Sequence, residues 1–162
     1  MNEFEIIKKY LRTLTLKNSS SLKLKDDVFY DKEKKVVIST DTFVEGIHFL
    51  KSSKPNQFIK KILRSSLSDL YCKGAIPTSY FLSLALDKKS AKSSWLKEIK
   101  KTLISEQRKF NIFLGGGDTV YSSKLVITIT VLGYKKKNLV LRNGSYVNDD
   151  IYVTGTICDS YI

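Results

Sequence analysis

The chain is poor in the residues that most often announce chemistry. Its 162 positions hold one histidine, two cysteines and two prolines. Cys72 and Cys158 are too few and too far apart to staple a disulfide scaffold or to build a zinc site. His48 stands alone, which excludes a multi-histidine metal centre within one chain. No apolar run is long enough to cross a bilayer, so no membrane partner is expected. The first residues interleave Glu3 and Glu5 with apolar positions, unlike a secretory signal, and a cytoplasmic location is expected. Arginine is scarce too. Arg12, Arg64, Arg108 and Arg142 are the only ones among 28 basic residues. Against 16 acidic residues the formal charge is +12, which raises nucleic acid as a partner. Phosphate clamping and base readout favour arginine, however, and the lysines are spread along the chain. Lys135-Lys136-Lys137 is the one uninterrupted basic triple. A solvated lysine-rich surface that attracts small anions is the better reading, with no nucleic-acid partner.

What is present suffices for one domain with a real core. Asn2 is placed to cap a helix through about Leu14, with Phe4, Ile7, Leu11 and Leu14 on one face. Lys17 to Ser21 reads as a polar loop, and Asp26-Asp27 opens a short β-prone segment through Tyr30. Adjacent residues of an extended chain point to opposite sides, so one of those two carboxylates faces a site and the other solvent. Val36 to Asp41 reads as a buried strand continuing toward Phe49. Asn56 is placed to cap a helix whose apolar stripe is Phe58, Ile59, Ile62, Leu63, Leu67 and Leu70. Asp69 falls near its C-terminal end, where the helix dipole disfavours a carboxylate and a cation partner relieves the cost. Gly74 and Pro77 end that helix. A strand over Ser79–Leu86, a helix from Ser93 or Ser94 to Phe110, and a strand over Leu125–Leu132 follow. Gly133 to Asn138 reads as a basic turn, Leu139 to Arg142 as extended, Asn143-Gly144 as a turn and Ile151–Val153 as a last strand. The order α-β-β-α-β-α-β-β-β implies an α/β sandwich: a mixed sheet with helices on one face. The other face, read as apolar, calls for a partner.

The most unusual stretch is Leu114-Gly115-Gly116-Gly117-Asp118-Thr119. Ile112, Phe113 and Leu114 read as a short buried strand that the glycines break. Successive backbone N–H groups in a glycine turn can cradle an anion, but Asp118 at the rim repels a bare phosphate unless a divalent cation intervenes. The stretch is not a P-loop, because no Gly-Lys-Ser/Thr follows. A tight turn with local hydrogen bonds is the simpler reading of this segment alone. Asp27, Asp41, Asp69 and Asp118 nevertheless form a set of carboxylates at strand and helix ends, joined by the hydroxyls of Ser39 and Thr40. Oxygen donors without histidine or cysteine suit Mg²⁺, and carboxylates with substrate phosphates completing the shell are the pattern of phosphoryl transfer. Arg142, always protonated, suits the charge on a transferring phosphoryl group. His48, flanked by Ile47 and Phe49, reads on its own as a hydrogen-bonded structural residue.

Several of these segments resemble thiamine-monophosphate kinases. Ser39-Thr40-Asp41-Thr42-Phe43-Val44-Glu45-Gly46-Ile47-His48-Phe49 resembles their STDTLVEGxHF signature, and Leu67-Ser68-Asp69-Leu70 their NLSDL motif. Gly116-Gly117-Asp118-Thr119 matches GGDT, Arg142-Asn143-Gly144 resembles RSGA, and Asp150 to Thr156 resembles DxIYVTGT. Phe4 to Tyr10 is similar to the family's opening helix. The resemblance implies an aminoimidazole-ribonucleotide-synthetase-like fold and transfer of the γ-phosphate of ATP to thiamine monophosphate. It implies Mg²⁺ on Asp27, Ser39, Thr40, Asp41, Asp69 and Asp118. It implies ATP, as co-substrate, against Gly117, Asp118 and Arg142, and thiamine monophosphate at His48, which reverses the structural reading of that residue. It also implies a homodimer formed through the sheets. Departures fall at Lys25, Ser66, Asn148 and Cys158 and bear on loop geometry. Family members run roughly twice this length, consistent with a second domain, so residues 1–162 are expected to be the N-terminal ATP- and Mg²⁺-binding, dimerising domain. The alternative is a non-catalytic, dimerising nucleotide-binding remnant of the same superfamily.

Overall fold

The computed structural model describes residues 1–135, 137–153 and 155. Thr154, Thr156 and Cys158 of the last motif lie outside the described residues, as does Lys136 of the basic triple. Five strands form one mixed sheet: β1 (Phe29–Asp31), β2 (Val36–Val44), β3 (Ile76–Leu86), β4 (Phe113–Tyr121) and β5 (Val126–Tyr134). Their spatial order is β1-β2-β5-β3-β4. The last strand in the chain is therefore the middle one in the sheet. β5 runs antiparallel to both β2 and β3, and β4 lies parallel to β3 at the edge. Between β2 and β3 the chain crosses over β5 as helix α2 (Pro55–Cys72), and between β3 and β4 it returns as α3 (Ser93–Phe110). This is a split β-α-β arrangement with a further parallel crossover. The expected mixed sheet with helices on one face is the observed fold.

Strict alternation makes β5 the centre. Ile127, Ile129 and Val131 are fully buried, and their register partners Tyr80 and Leu82 on β3 turn the same way. α2 covers them with Phe58, Ile59, Ile62, Leu63, Leu67 and Leu70, the stripe expected from the sequence. Pro55, at the first helical position, starts this helix where its missing N–H costs nothing. The Asn56 side chain does not cap it; the cap residue is Lys54, with no side-chain bond. At the other end Gly74 N–H bonds Tyr71 O at 2.8 Å and Ala75 N–H bonds Leu70 O at 2.9 Å. That pairing is a Schellman motif, and Gly74 at φ +63° supplies its left-handed residue. α3 lies beside α2 on the same face. Gln107 donates to the Tyr80 hydroxyl, and Arg64 of α2 forms a bidentate pair with the buried Glu106. α3 is capped by Lys92 backbone and not by Ser93 or Ser94 side chains, and it closes on Asn111 in the left-handed region.

Four expectations fail. The first fifteen residues are not one amphipathic helix. Asn2 does cap, through a capping box with Glu5, but α1 (Glu3–Ile6) passes into a π turn over Ile7–Leu11 and a 3-10 turn over Arg12–Thr15. Phe4 and Leu14 stay exposed, because nothing among the described residues packs against that stripe. Ser19–Leu24 is a 3-10 stretch and not a plain loop. Ile151 to Val153 pairs with no strand among the described residues and is exposed. The chain turns at Val147-Asn148, and not at Asn143-Gly144.

The glycine stretch is the largest difference. It does not turn. Phe113 to Tyr121 is one continuous edge strand, exposed along its length. The glycines serve the pairing with β3: a Cβ on Gly117 would lie 1.8 Å from Leu82 O. Gly117→Ala is therefore expected to destabilise the fold by more than ~3 kcal/mol. Gly115→Ala meets only the movable Phe81 ring and should cost far less. Urea unfolding of the two variants checks this, and equal midpoints would show that β4 can move away from β3.

Candidate functional site

The site forms where the C-terminal turn of α2 hangs over β2. Register places Ser39 and Asp41 on the helix-covered face, because they oppose Val131 and Ile129. Ser39 is buried, and its hydroxyl lies 2.8 Å from Asp69 Oδ2 on α2 and 3.0 Å from the Asp27 carbonyl oxygen. One hydroxyl hydrogen cannot serve both acceptors at once. Burial is the main cause that raises the Asp69 pKa, the Ser39 bond opposes it, and the charges of Asp41 and Asp27 raise it further. Arg142 comes from the far end of the described chain and sets Nη2 on the Asp27 carboxylate. Asp27, Ser39, Asp41, Asp69 and Arg142 thus gather in one neighbourhood.

The remaining expected residues lie elsewhere. Thr40 faces the opposite side of the sheet, its hydroxyl 2.9 Å from that of Thr130. Asp118 opposes Ser83, which opposes Thr128, so it shares that opposite face. There its Oδ1 accepts from Thr119 N–H at 2.8 Å. Gly117 is engaged with β3, as described. His48 sits at an exposed concavity of about 620 Å³ with Phe49, Gln57, Phe58 and Lys61. The Val44 N–H donates to His48 Nδ1 at 3.0 Å. A neutral ring bonded this way carries its proton on Nε2 and offers that N–H outward.

Two residues of the neighbourhood escaped the sequence reading. Asp26 and Lys73 form an ion pair of 2.6 Å with only 4% of each side chain exposed. Burial alone pushes the Asp26 carboxyl up, but the Lys73 ammonium and the N–H groups of Arg142 and Asp27 outweigh it and hold the pKa below the ordinary value. The adjacent carboxylates do diverge, with Asp26 turned inward. Lys73 gave no signal, because a lysine after a helix reads as a solvated dipole partner. A second buried amine, Lys135 Nζ, donates to Gly74 O at 2.9 Å.

The donor set suits a hard cation: carboxylates and a hydroxyl, with like charges already raising the pKa of Asp69. Among the described residues no three acidic, histidine or cysteine side chains stand close enough to hold one ion by themselves. Water or the phosphates of a bound molecule would have to complete the shell of a metal here, as they do for Mg²⁺.

The fold and the site together define a helix-backed mixed sheet with a carboxylate cluster at one end. The family model for the AIR synthase related protein, N-terminal domain, matches residues 24–134, and the chain belongs to that family. It is 38% identical, over 98% of its length, to the thiamine-monophosphate kinase of Buchnera aphidicola subsp. Schizaphis graminum, and covers 50% of that protein. It is 35% identical, over 99% of its length, to the Haemophilus influenzae thiamine-monophosphate kinase, covering 49%. The chain spans about half the length of these curated relatives. Among solved structures, the Aquifex aeolicus thiamine monophosphate kinase superposes with a TM-score of 0.75 at 24% identity, over 90% of this chain and 46% of that one, which shows a shared fold. AaThiL complexed with AMPPCP and TMP gives 0.76 at 25% identity, over 89% of this chain and 45% of that one.

A group whose folded pKa is raised destabilises the native state once pH exceeds that value, and the cost vanishes below the unfolded pKa. Asp69→Asn keeps an acceptor for Ser39 and removes the repulsion from Asp41 and Asp27. The variant should melt a few degrees above the parent at pH 7, with the gap closing toward pH 4. Scanning calorimetry at both pH values checks this; a parent that is the more stable at pH 7 contradicts it.

Proposed function

We propose that this chain is the nucleotide- and metal-binding domain of a thiamine-monophosphate kinase, which transfers the γ-phosphoryl group of ATP to thiamine monophosphate and yields thiamine diphosphate in the cytoplasm. The observation that carries the reading is the meeting of Asp27, Ser39, Asp41 and Asp69 with Arg142, the residues shared with the kinase motifs. Identities of 35–38% to thiamine-monophosphate kinases over nearly the whole chain support it.

In this reading Asp27, Asp41 and Asp69 would hold Mg²⁺ jointly with the phosphates of the nucleotide, with Ser39 fixing the Asp69 carboxylate. The ion, when bound, neutralises charge on the phosphate oxygens. Arg142 shares its guanidinium between Asp27 and a phosphate, and its permanent charge favours the anionic transferring group. Gly117 and Asp118 meet the nucleotide from β4. His48 donates from Nε2 to thiamine monophosphate. The chemistry asks for no protein nucleophile, since phosphoryl transfer runs on alignment and electrostatic stabilisation. Asp41→Asn is expected to weaken Mg-ATP binding at least about tenfold, roughly 1.4 kcal/mol, with an unchanged far-UV spectrum. Titration calorimetry showing equal affinity counts against the metal assignment. Parallel assay of thiamine diphosphate formation separates a kinase from a non-catalytic nucleotide binder.

The proposed working form is a homodimer through the open sheet face. That face is not simply apolar. Its centre carries the hydroxyl pairs Thr40–Thr130 and Thr42–Thr128, each at 2.9 Å, with Ile38, Leu132, Phe81 and Val120 around them. Thr40 and Asp118 then lie in the interface, which accounts for functional motifs on the side away from Asp69. Light scattering at micromolar concentration should give twice the 18.5 kDa chain mass. Thr130→Lys should halve it, and a monomeric parent contradicts the dimer.

A further inference from the structure

Asp26 uses both carboxylate oxygens, on its own neighbour Asp27 and on two distant pieces of chain. Oδ1 takes Lys73 Nζ at 2.6 Å and the Asp27 N–H at 2.8 Å, while Oδ2 takes the Arg142 N–H at 3.2 Å. Each of those pieces carries one member of the candidate site. Lys73 directly follows α2, whose last turn holds Asp69; the other two donors are the backbones of Asp27 and Arg142 themselves. Only 4% of the Asp26 and Lys73 side chains is exposed, so the ion pair at the centre of these bonds is shielded from water.

We propose that Asp26 and Lys73 are a positioning pair: a buried clamp that fixes Asp27, Asp69 and Arg142 relative to one another so that they can engage a metal–nucleotide. A buried ion pair gains little stability over a well-packed neutral pair of similar volume, because desolvation offsets the attraction. Its return here is geometric. A carboxylate offers two oxygens and accepts all three donors, whereas an amide offers one and must release at least one of them. The bond at risk is the one to Arg142, since Oδ2 holds that segment alone. Arg142 is the site member with least support, for the residues around it are exposed and belong to no strand. Losing the bond therefore frees the guanidinium from its place above Asp27. The importance of this geometry to nucleotide binding rests on the phosphotransferase reading; the clamp itself rests on the hydrogen bonds.

The test uses Asp26→Asn combined with Lys73→Met, which removes both charges and leaves no buried ion unpaired. Three quantities are measured: the melting temperature, hydrogen exchange of the Arg142 amide by NMR, and Mg-ATP affinity by calorimetry. A clamp predicts that the double variant melts within a few degrees of the parent, exchanges the Arg142 amide about tenfold faster and binds Mg-ATP about tenfold more weakly. A merely structural pair predicts that affinity and exchange recover along with stability, and that result overturns the proposal. Should the parent bind no Mg-ATP, the phosphotransferase reading fails, and exchange alone judges the clamp: faster supports it, unchanged overturns it. A second comparison leaves the buried pair untouched in case the double variant does not fold. Arg142→Ala loses the guanidinium and keeps the N–H, whereas Arg142→Pro loses both. Faster exchange at the Asp27 amide and at least about threefold weaker Mg-ATP binding in the proline variant support the clamp. Equal behaviour of the two overturns it.

Discussion

The passage of α2 across β5 is the contact on which the rest of the structure depends. It requires close approach. Gly133, at the end of β5, has the Ile76 carbonyl oxygen and Leu70 Cδ2 where a Cβ would project, at 2.5 and 2.8 Å. No side chain fits there without shifting the backbone of β3 as well as the tip of Leu70 on α2. Once α2 is seated, its last turn must lie over β2, and Asp69 must meet Ser39. An apolar packing problem thus delivers a carboxylate to a polar site. The same crossing uses up the helices on one face and leaves the threonine-lined face of the sheet uncovered among the described residues.

Charge at that end of the sheet is arranged in alternation. Lys73 meets Asp26, Asp26 meets the backbone of Arg142, and Arg142 meets Asp27, beyond which lie Asp69 and Asp41. Lys73, just past the end of α2, also suits the helix dipole, and Lys135 bonds the Gly74 carbonyl in the turn that follows. The carboxylates outnumber the cations in this group, and at Asp69 their repulsion adds to burial, the main cause of its raised pKa. Resting stability is surrendered at the position where the family motifs place their acids, a common relation between stability and function.

The core and the element order were legible because they rest on period. The stripe of α2 and the alternation of β5 each state their own geometry. The site was legible in composition, since clustered oxygen donors without histidine or cysteine narrow the chemistry. Its division between two faces was not, because that follows from β5 inserting between β2 and β3, a long-range pairing that no local pattern encodes. The glycine stretch misled for a related reason. Three glycines signal a turn when read locally, but here they answer the backbone of a neighbouring strand. Asp26 and Lys73 stayed hidden because each looks like ordinary surface charge until the chain brings them together. The N-terminal stripe was periodic and yet did not become a single helix, since periodicity stabilises a helix only where something covers it.

Strand β4 has one further consequence. It is an outer strand with both faces exposed, and its free backbone edge is a template for pairing with another chain, the usual beginning of ordered aggregation. Proteins commonly blunt such an edge with lysines, proline or a bulge. This strand has no lysine or proline, and its register slips only near Tyr80. Its protection comes from glycine. Gly115, Gly116 and Gly117 lose the most conformational freedom on being held extended, and they offer an incoming strand no side chains to grip. A single carboxylate, Asp118, adds repulsion between two copies meeting edge to edge in register. The residues that let β4 lie close against β3 therefore also make it a poor seed for self-assembly, and bulky apolar replacements along it would weaken both properties together.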